Sequence, residues 1–392
     1  MSTPFAVSFL DSQAEIPASL WDACFPLPLE GRWWYEVLEQ SGLEDQFTFR
    51  YALVRQDGRA VGIAPLFLMD VPLDIVTPDF LRPLTALLGR FAPSLMRQRT
   101  LFVGSPCSDE GTVGLVPGID RRGALLCLQR ALDKEARRLR APMLVWKDFP
   151  SSYRDDLGWV AAKTGLFAMT SYPGTVAVLP SRNREDFFAT MKGSRRQKLK
   201  RKLRISAQRA DLHTAVVSHP DACVLGEIFG LFRQTYERSA TKFERLNPRF
   251  FELMAALPHA YFLTLRETAS GDMVAFMLCL EMGGLIINKF IGLDYARPKE
   301  WSLFFRLWEA ALDWSLARGA SAIQSGQTGY APKMEMGHVL VPLKNYCRHG
   351  NPVMQFLYAA LSRTVSWETL DPALALYSGD QEKQESVFQE KS

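Results

Sequence analysis

Tyr51-Ala-Leu-Val-Arg55 and Ala60-Val-Gly-Ile-Ala-Pro-Leu-Phe-Leu68 are apolar runs separated by Gln56-Asp57-Gly58-Arg59. Asp-Gly inside such a linker supplies the positive-φ turn of a β-hairpin, so the stretch reads as two antiparallel strands. The arrangement returns later in the chain. Tyr261-Phe-Leu-Thr-Leu265 and Met273-Val-Ala-Phe-Met-Leu-Cys-Leu280 flank Ser270-Gly271-Asp272, which puts Gly58 and Gly271 in equivalent places. Each hairpin is followed by an amphipathic helix and a short buried strand. In the first copy the helix covers about 123–140, with Leu125, Leu128, Leu132, Ala136 and Leu139 at helical spacing, and the strand is Met143-Leu-Val-Trp146. In the second the helix covers about 302–318, with Phe305, Trp308, Leu312 and Leu316 on one stripe, and the strand is Ser321-Ala-Ile-Gln324.

Hairpin, helix and strand, twice over, predict a duplicated unit of the mixed α/β (α+β) class, each copy a mostly antiparallel sheet flanked by helices. The expected domains are 1–180 and 181–378, with 379–392, polar and rich in Glu and Gln, as a flexible tail. The interval from hairpin glycine to helix-terminal arginine is longer in the first copy (58–140) than in the second (271–318). The excess falls within about 72–120 and includes the Leu-rich stretch Leu84 to Met96. It reads as a surface helix or long loop able to roof a pocket, or else as a membrane-surface segment.

The 392 residues, 47% hydrophobic and 22% charged, are a globular composition and exclude a disordered or fibrous chain. Met1 to Asp11 lacks the pattern of a secretory signal, and no apolar run approaches the roughly 18 to 20 residues needed to span a bilayer. Cys24, Cys107, Cys127, Cys223, Cys279 and Cys347 are scattered without a C-x-x-C, and no histidine stands at metal-ligand spacing. Reduced thiols, a cytoplasmic location and no metal or tightly bound cofactor are the expectation. A G-x-S-x-G, a P-loop and a histidine pair are all missing, which removes Ser-His-Asp hydrolysis and P-loop phosphate chemistry.

The net charge is only +4, but it is unevenly placed. Between 187 and 210 there is no acidic residue, against Lys192, Arg195, Arg196, Lys198, Lys200, Arg201, Lys202, Arg204 and Arg209. Leu199, Leu203 and Ala207 recur at i, i+4, i+8, which predicts a helix with one buried stripe and a basic remainder. That face is either solvated or holds an anion: the phosphates of CoA, a tRNA backbone, or an anionic membrane or glycan surface. Ser194, Arg195, Arg196 and Lys198 lie at its start, where free backbone N–H groups also favour an anion, and are the candidate co-substrate-binding residues.

Asn288-Lys-Phe-Ile-Gly-Leu-Asp294, a helix beginning near Ser302, Gly319-Ala-Ser-Ala-Ile-Gln-Ser-Gly326 and Tyr330-Ala-Pro-Lys333-Met-Glu-Met-Gly337 together resemble the BioF2-like acetyltransferase domain of the GNAT superfamily. Relatives of that domain include the Fem-type aminoacyltransferases and the peptidoglycan biosynthesis/recognition proteins. The segment from Phe25 to Leu68, with Trp33 and Leu38-Glu39-Gln40-Ser41-Gly42, looks like the front half of the latter group. The resemblance implies a tandem GNAT fold and transfer of an acyl or aminoacyl group, from a thioester or a tRNA ester, to an amine. It also implies an oxyanion held by a backbone N–H at splayed central strands. One motif departs from the single-domain acetyltransferases: where their pyrophosphate loop Q/R-x-x-G-x-G/A should precede the second helix, this chain reads Tyr295-Ala-Arg-Pro-Lys-Glu-Trp-Ser302.

Transfer to an amine needs a neutral nitrogen, a polarised carbonyl and a proton for the leaving group. Asp294, at the end of a buried strand, is a candidate for proton traffic, against the reading of a turn-capping aspartate. Tyr330 and Lys333 are placed by the resemblance as catalytic or binding residues; by themselves they read as a surface tyrosine and a solvated lysine. Gln324, Ser325 and Gln327 surround Gly326 at the C-terminal end of a strand, where crevices of α/β sheets form, and are substrate-binding candidates or ordinary loop residues. Tyr236 and Lys242 fall in a region that, in the relatives, borders the acceptor pocket. His338, beside the 333–337 segment, is the histidine nearest these residues. The leading expectation is an N-acyltransferase with acyl-CoA as co-substrate and a small-molecule amine as acceptor. A Fem-type transferase using aminoacyl-tRNA is the alternative, and a degenerate binding protein for an anionic envelope component a third.

Overall fold

A computed structural model describes residues 5–72, 97–239 and 244–380; Leu84 to Met96 and the tail from 381 lie outside them. The first half of the chain forms β1 (Phe5–Leu10), α1 (Ala18–Cys24), α2 (Arg32–Gln40), β2 (Thr48–Gln56), β3 (Arg59–Pro72) and β4 (Arg97–Val103). It continues through β5 (Gly114–Leu115), α3 (Arg121–Arg138), β6 (Met143–Pro150), α4 (Arg154–Thr164) and β7 (Phe167–Thr170). The second half forms β8 (Gly174–Val178), α5 (Arg184–Ala189), α6 (Gly193–Arg209), β9 (Leu212–Val217), α7 (Ala222–Arg238), α8 (Pro248–Ala255), β10 (Ala260–Glu267), β11 (Met273–Met282) and β12 (Leu285–Leu293). After these come α9 (Leu303–Arg318), β13 (Ala322–Gln324), α10 (Tyr330–Glu335), β14 (Val339–Val341), β15 (Leu343–His349), α11 (Pro352–Ser362) and α12 (Trp367–Leu370). Among the described residues no helix is long and apolar enough to cross a membrane.

Both hairpins form where the turn chemistry puts them. Asp57 (φ 51°) and Gly58 (φ 78°) take the left-handed conformations that a tight hairpin between β2 and β3 requires, and Gly271 (φ 78°) does the same between β10 and β11. The repeat extends to whole sheets. The first has the order β1-β2-β3-β4-β6-β15-β7, the second, read from its β9 edge, β9-β10-β11-β12-β13-β8-β14. Each contains one parallel pair, β4 with β6 and β12 with β13.

The sheets are not drawn from separate stretches of chain. β8, which follows β7, enters the second sheet between β13 and β14; β15, which follows β14, enters the first between β6 and β7. The two crossings begin alike, at Tyr172-Pro173 and Val341-Pro342. Proline holds the residue before it extended, which suits a strand leaving one sheet for another. A single core joins the halves, with Trp21, Trp34, Phe47 and Phe67 from the first against Phe232, Phe250, Phe251 and Phe276 from the second. Burying one such phenylalanine contributes roughly 1.5–3 kcal/mol, so this layer alone holds the sheets together firmly.

In α6 the buried stripe is Leu199, Leu203 and Ser206, at i, i+4, i+7; Ala207 is exposed, contrary to the spacing inferred from sequence. The Ser206 hydroxyl donates to the Trp301 carbonyl at 2.5 Å, so a polar contact, not an apolar one, seats the fourth turn.

Candidate active site

β4 and β6 are last paired at Val103 and Trp146, β12 and β13 at Ile287 and Gln324. Beyond those residues each parallel pair stops pairing, and the C-terminal ends of such strands are the usual ligand position in α/β sheets. The first cleft is filled by its own chain. Residues 104–111 turn back onto β6, with the Gly111 N–H donating to the Asp148 carbonyl at 2.9 Å and Lys147 Nζ to the Ser108 carbonyl at 3.4 Å. A Cβ on Gly111 would stand 2.1 Å from the Lys147 carbonyl oxygen, so only glycine allows this approach. At the start of α3 the Asp120 carboxylate accepts from the Gly123 N–H at 3.0 Å, occupying the place an anion would take. At the start of α9, by contrast, Ser302 is left-handed (φ 47°) and no side chain caps the helix. Its first N–H groups therefore lack a side-chain acceptor.

The loop that closes the first cleft carries Cys107, Ser108, Asp109 and Glu110 towards the second. Asp109 accepts from Gln324 Nε2 at 3.3 Å. From the same side come Glu30, on the loop before α2, and Lys147 and Asp148, at the end of β6. The second half adds Lys289 of β12 and Glu244, on the approach to α8. Lys289 pairs with Glu30, donates to the Cys107 carbonyl at 2.9 Å and lies 4.6 Å above the Trp34 ring. Lys147 reaches Asp148 at 2.5 Å. Burial lowers the affinity of both amines for a proton, but Glu30 and Asp109 beside Lys289, and Asp148 beside Lys147, carry them above the ordinary lysine range.

Carboxylates outnumber these ammonium groups, and two of them hold their protons unusually tightly. Burial, reinforced by the charges of Asp109, Glu30 and Asp148, pushes Glu110 up to about 7. Burial also raises Glu244 to about 7, against the opposing charges of Lys147 and Lys289. Both are half-buried. Carboxyls that exchange a proton near neutrality, beside an open strand pair, can act as general bases.

On the far side of β13 lies a buried polar chain. Asn288 Nδ2 donates to Ser325 Oγ at 3.1 Å, and Ser325 Oγ lies 3.0 Å from His338 Nε2. His338 Nδ1 is 3.0 Å from the Lys333 carbonyl, which can only accept, so the proton sits on Nδ1 and the serine donates to Nε2. Burial, then the Lys333 charge, lowers His338 to about 3. A ring so reluctant to take a proton is a poor base, and the serine-histidine pair is architectural.

The residues singled out from sequence divide accordingly. Tyr330 is buried, not a surface tyrosine: it is 1% exposed, packs with Met334, Leu340 and Trp367, and donates its hydroxyl to the Pro173 carbonyl at 2.9 Å. Asp294 takes the turn-capping place that was one of its two readings: its carboxylate accepts from the Ala296 N–H and Arg297 Nε, both at 3.0 Å, in the turn after β12. Lys333 is buried, not solvated, and its Nζ donates to the carbonyls of Ser325, Gly326 and Gln327; burial lowers it to about 8. Gln324 meets Asp109, Ser325 belongs to the buried chain, and Gln327 Nε2 donates to the Tyr172 carbonyl at 3.0 Å. Tyr236 lines a pocket of about 430 Å³ between the halves, with Phe229, Phe232, Arg245 and Asn247. Lys242 lies outside the described residues. Ser194, Arg195 and Arg196 stand in the uncapped first turn of α6, and Lys198 approaches Glu335 at 4.0 Å.

Glu30, Asp109, Glu110, Lys147, Asp148, Glu244 and Lys289 escaped the sequence reading. Two signals were there. Lys289, beside Asn288, interrupts the mostly apolar strand LIINKFIGL, and Lys147-Asp148 directly follows the buried run Met143-Leu-Val-Trp146. A charge inside a buried strand needs a partner, and here the partners come from the other half.

Two mixed sheets, each opened at one parallel pair and exchanging a strand, define a tandem GNAT fold. No family model matches the sequence, and no curated protein matches it. Solved structures do share the fold. A crystal structure of FemX aligns with TM-score 0.57 and 13% identity over 89% of this chain and 99% of that one. A conserved protein of unknown function from Bacteroides thetaiotaomicron VPI-5482 aligns with 0.52 and 13%, covering 87% and 99%. A tandem GNAT protein from the clavulanic acid biosynthesis pathway gives 0.51 and 12%, covering 89% and 99%.

Proposed function

We propose that the chain is an acyltransferase that passes an acyl group from an acyl-CoA or related thioester to an amine, with one composite active site in the second cleft. The observation that carries this reading is the pair of carboxyls, Glu110 and Glu244, raised to about 7 beside the opened strands β12 and β13. An acceptor arriving as an ammonium is attracted by the carboxylate excess and gives a proton to Glu110. The free amine attacks the thioester carbonyl, the carbon-nitrogen bond forms, and the carbon-sulfur bond breaks. The second nitrogen-bound proton leaves with the thiolate, directly or by way of Glu244. The donor's polyanionic end is assigned to the uncapped start of α9 and to α6, which lies against it through Ser206 and through Lys202, 3.7 Å above the Phe305 ring.

A second reading, aminoacyl-tRNA as donor, is favoured by one observation. Lys198, Lys200 and Lys202 have acidic neighbours, whereas Arg195, Arg196, Arg201 and Arg204 have none among the described residues, which leaves a long basic face for a polyanion. Thiol release from acyl-CoA, followed across a panel of amines, tests the first reading: turnover in the intact chain and a loss of at least about 100-fold in Glu110→Gln are expected. No thiol release with any amine, together with tRNA retention that falls steeply with salt, overturns it in favour of the second. Binding without turnover from either donor leaves a degenerate binding protein.

A further inference from the structure

The side chain of Lys289, in the middle of β12, is only 1% exposed. A buried ammonium is tolerated where oxygens or an aromatic face replace its water. The ionic, hydrogen-bonding and aromatic partners it has among the described residues all come from the other half: the Glu30 carboxylate, the Cys107 carbonyl at 2.9 Å and the Trp34 ring at 4.6 Å. These three groups are themselves tied to one loop. Trp34 Nε1 donates to Ser105 Oγ at 3.0 Å and to Ser108 Oγ at 3.1 Å, and Ser108 Oγ donates to Glu30. Ser105, Cys107 and Ser108 are thus held from a single centre, and the next two residues are Asp109 and Glu110. The loop is fastened again at Gly111, to the Asp148 carbonyl. Across the halves it also meets Gln324, but at 3.3 Å from Asp109, so the firm tie is Lys289.

We infer that Lys289 is a positioning residue of the composite site: from β12 it pins the 104–111 loop of the first half, and so fixes where Asp109 and Glu110 meet the second cleft. This rests on the acyl-transfer reading of that cleft. Lys289 does not itself touch substrate, because its donors are spent on Glu30, the Cys107 carbonyl and the Trp34 face. Its charge has a second effect. Glu110 faces Asp109, Glu30 and Asp148, which favour its proton, and Lys289, which opposes it. Glu244 faces Lys147 and Lys289, which oppose its proton, and Asp109, which favours it. The Cys107 thiol, also beside Lys289, is kept protonated by burial. Without the ammonium of Lys289 both carboxyls should rise further above about 7.

Two measurements on the full chain test the inference, with Lys289→Met as the variant. The first needs no turnover. Hydrogen exchange followed by mass spectrometry should be at least about tenfold faster over residues 104–111 in the variant, while β12 itself stays within about twofold of wild type. Equal acceleration in both segments, or none in either, overturns the pin whether or not the chain is an enzyme. The second is the thiol-release assay. A displaced base should lower kcat at least about tenfold, and the rising limb of kcat/KM should move to higher pH by about half a unit or more. A lowered kcat with the limb unmoved is what general loosening produces, and overturns the positioning role while leaving the acyl-transfer reading intact. If wild type releases no thiol with any amine, that reading fails and the exchange result alone decides the pin. Should Lys289→Met not fold, because Glu30 is left buried without a cation, the double variant Lys289→Met, Glu30→Gln removes both charges together and keeps an acceptor for Ser108. Its 104–111 loop should exchange faster to the same degree, and a loop as protected as in wild type overturns the inference.

Discussion

Asp109 of the first half stands directly over Gly326 of the second: a Cβ built on Gly326 would come within 2.6 Å of Asp109 Oδ1. The contact sets the loop of the first half against the turn that follows β13. The plug, residues 104–111, delivers carboxylates to the neighbouring cleft, and Gly326 is the gap that lets them in.

Gly326→Ala is therefore expected to fail on two counts. The left-handed backbone costs a non-glycine residue about 1–2 kcal/mol, and the added methyl collides with the carboxylate. Activity should fall at least tenfold with a lowered Tm. Gly271→Ala is the control, because its backbone is also left-handed (φ 78°) but nothing lies within 4 Å. It should lower Tm by the backbone cost alone and leave activity unchanged. Equal losses of activity in the two variants would mean that the Asp109 approach has no function.

The raised carboxyls fix a pH dependence. Glu110 and Glu244 bind a proton more tightly in the folded chain, at about 7, than the ordinary value of 4.5 allows in the unfolded one. Their contribution to stability is thus fully present below about pH 4.5 and is lost as pH rises through 7. Urea unfolding should show a decline on the order of 1–3 kcal/mol between pH 5 and 8, after allowance for their partial exposure. Glu110→Gln and Glu244→Gln should each flatten part of it. Catalysis runs the other way, since the base works only once deprotonated: kcat/KM should rise through pH 7, and that limb should be absent in Glu110→Gln. A wild-type stability that climbs from pH 5 to 8 would contradict the assignment.

Tyr330 and Glu110 separate the chemistry expected from sequence from the chemistry of the proposed site. Tyr330→Phe leaves the buried Pro173 carbonyl without its donor, at a cost of about 1–3 kcal/mol, and should leave kcat within twofold. Glu110→Gln should do the reverse, abolishing most turnover at little cost in Tm. A Tyr330→Phe variant that is stable and inactive would return catalysis to the tyrosine.

What the sequence disclosed was whatever is local. Hairpin turns need left-handed residues at fixed places, and helices need apolar stripes, so the duplication and the helices at 121–138 and 303–318 could be read from spacing alone. Tyr330 and Asp294 sit at element ends, where cleft and core look alike in one dimension, so spacing alone left both readings of each open. The cluster of Glu30, Asp109, Glu110, Lys147, Glu244 and Lys289 exists only after two sheets have been docked. Its clue, a lysine inside a buried strand, says that a partner exists without saying where. The exchange of β8 and β15 left still less trace, because a strand's pattern records that one face is buried and not against which sheet.

That exchange leads to the last prediction. Divided at 180/181, as the duplication suggests, the chain yields fragments that are each short of a strand. Residues 1–180 lack β15, so β7 loses the neighbour that joins it to β6; residues 181–392 lack β8, so β14 loses the neighbour that joins it to β13. Each fragment also bares the shared core around Trp34 and Phe250. Neither should show a cooperative thermal transition by circular dichroism when expressed alone, whereas co-expression should return a complex that co-purifies and melts as one. Division at 172/173 changes the balance, because the second fragment then keeps β8 and a whole sheet. That longer fragment should retain more structure than 181–392, although β15 and the apolar face remain unpartnered. If 1–180 and 181–392 each melted cooperatively in isolation, the exchanged strands would be ornaments on two self-sufficient domains, and a composite site built across them would lose its physical basis.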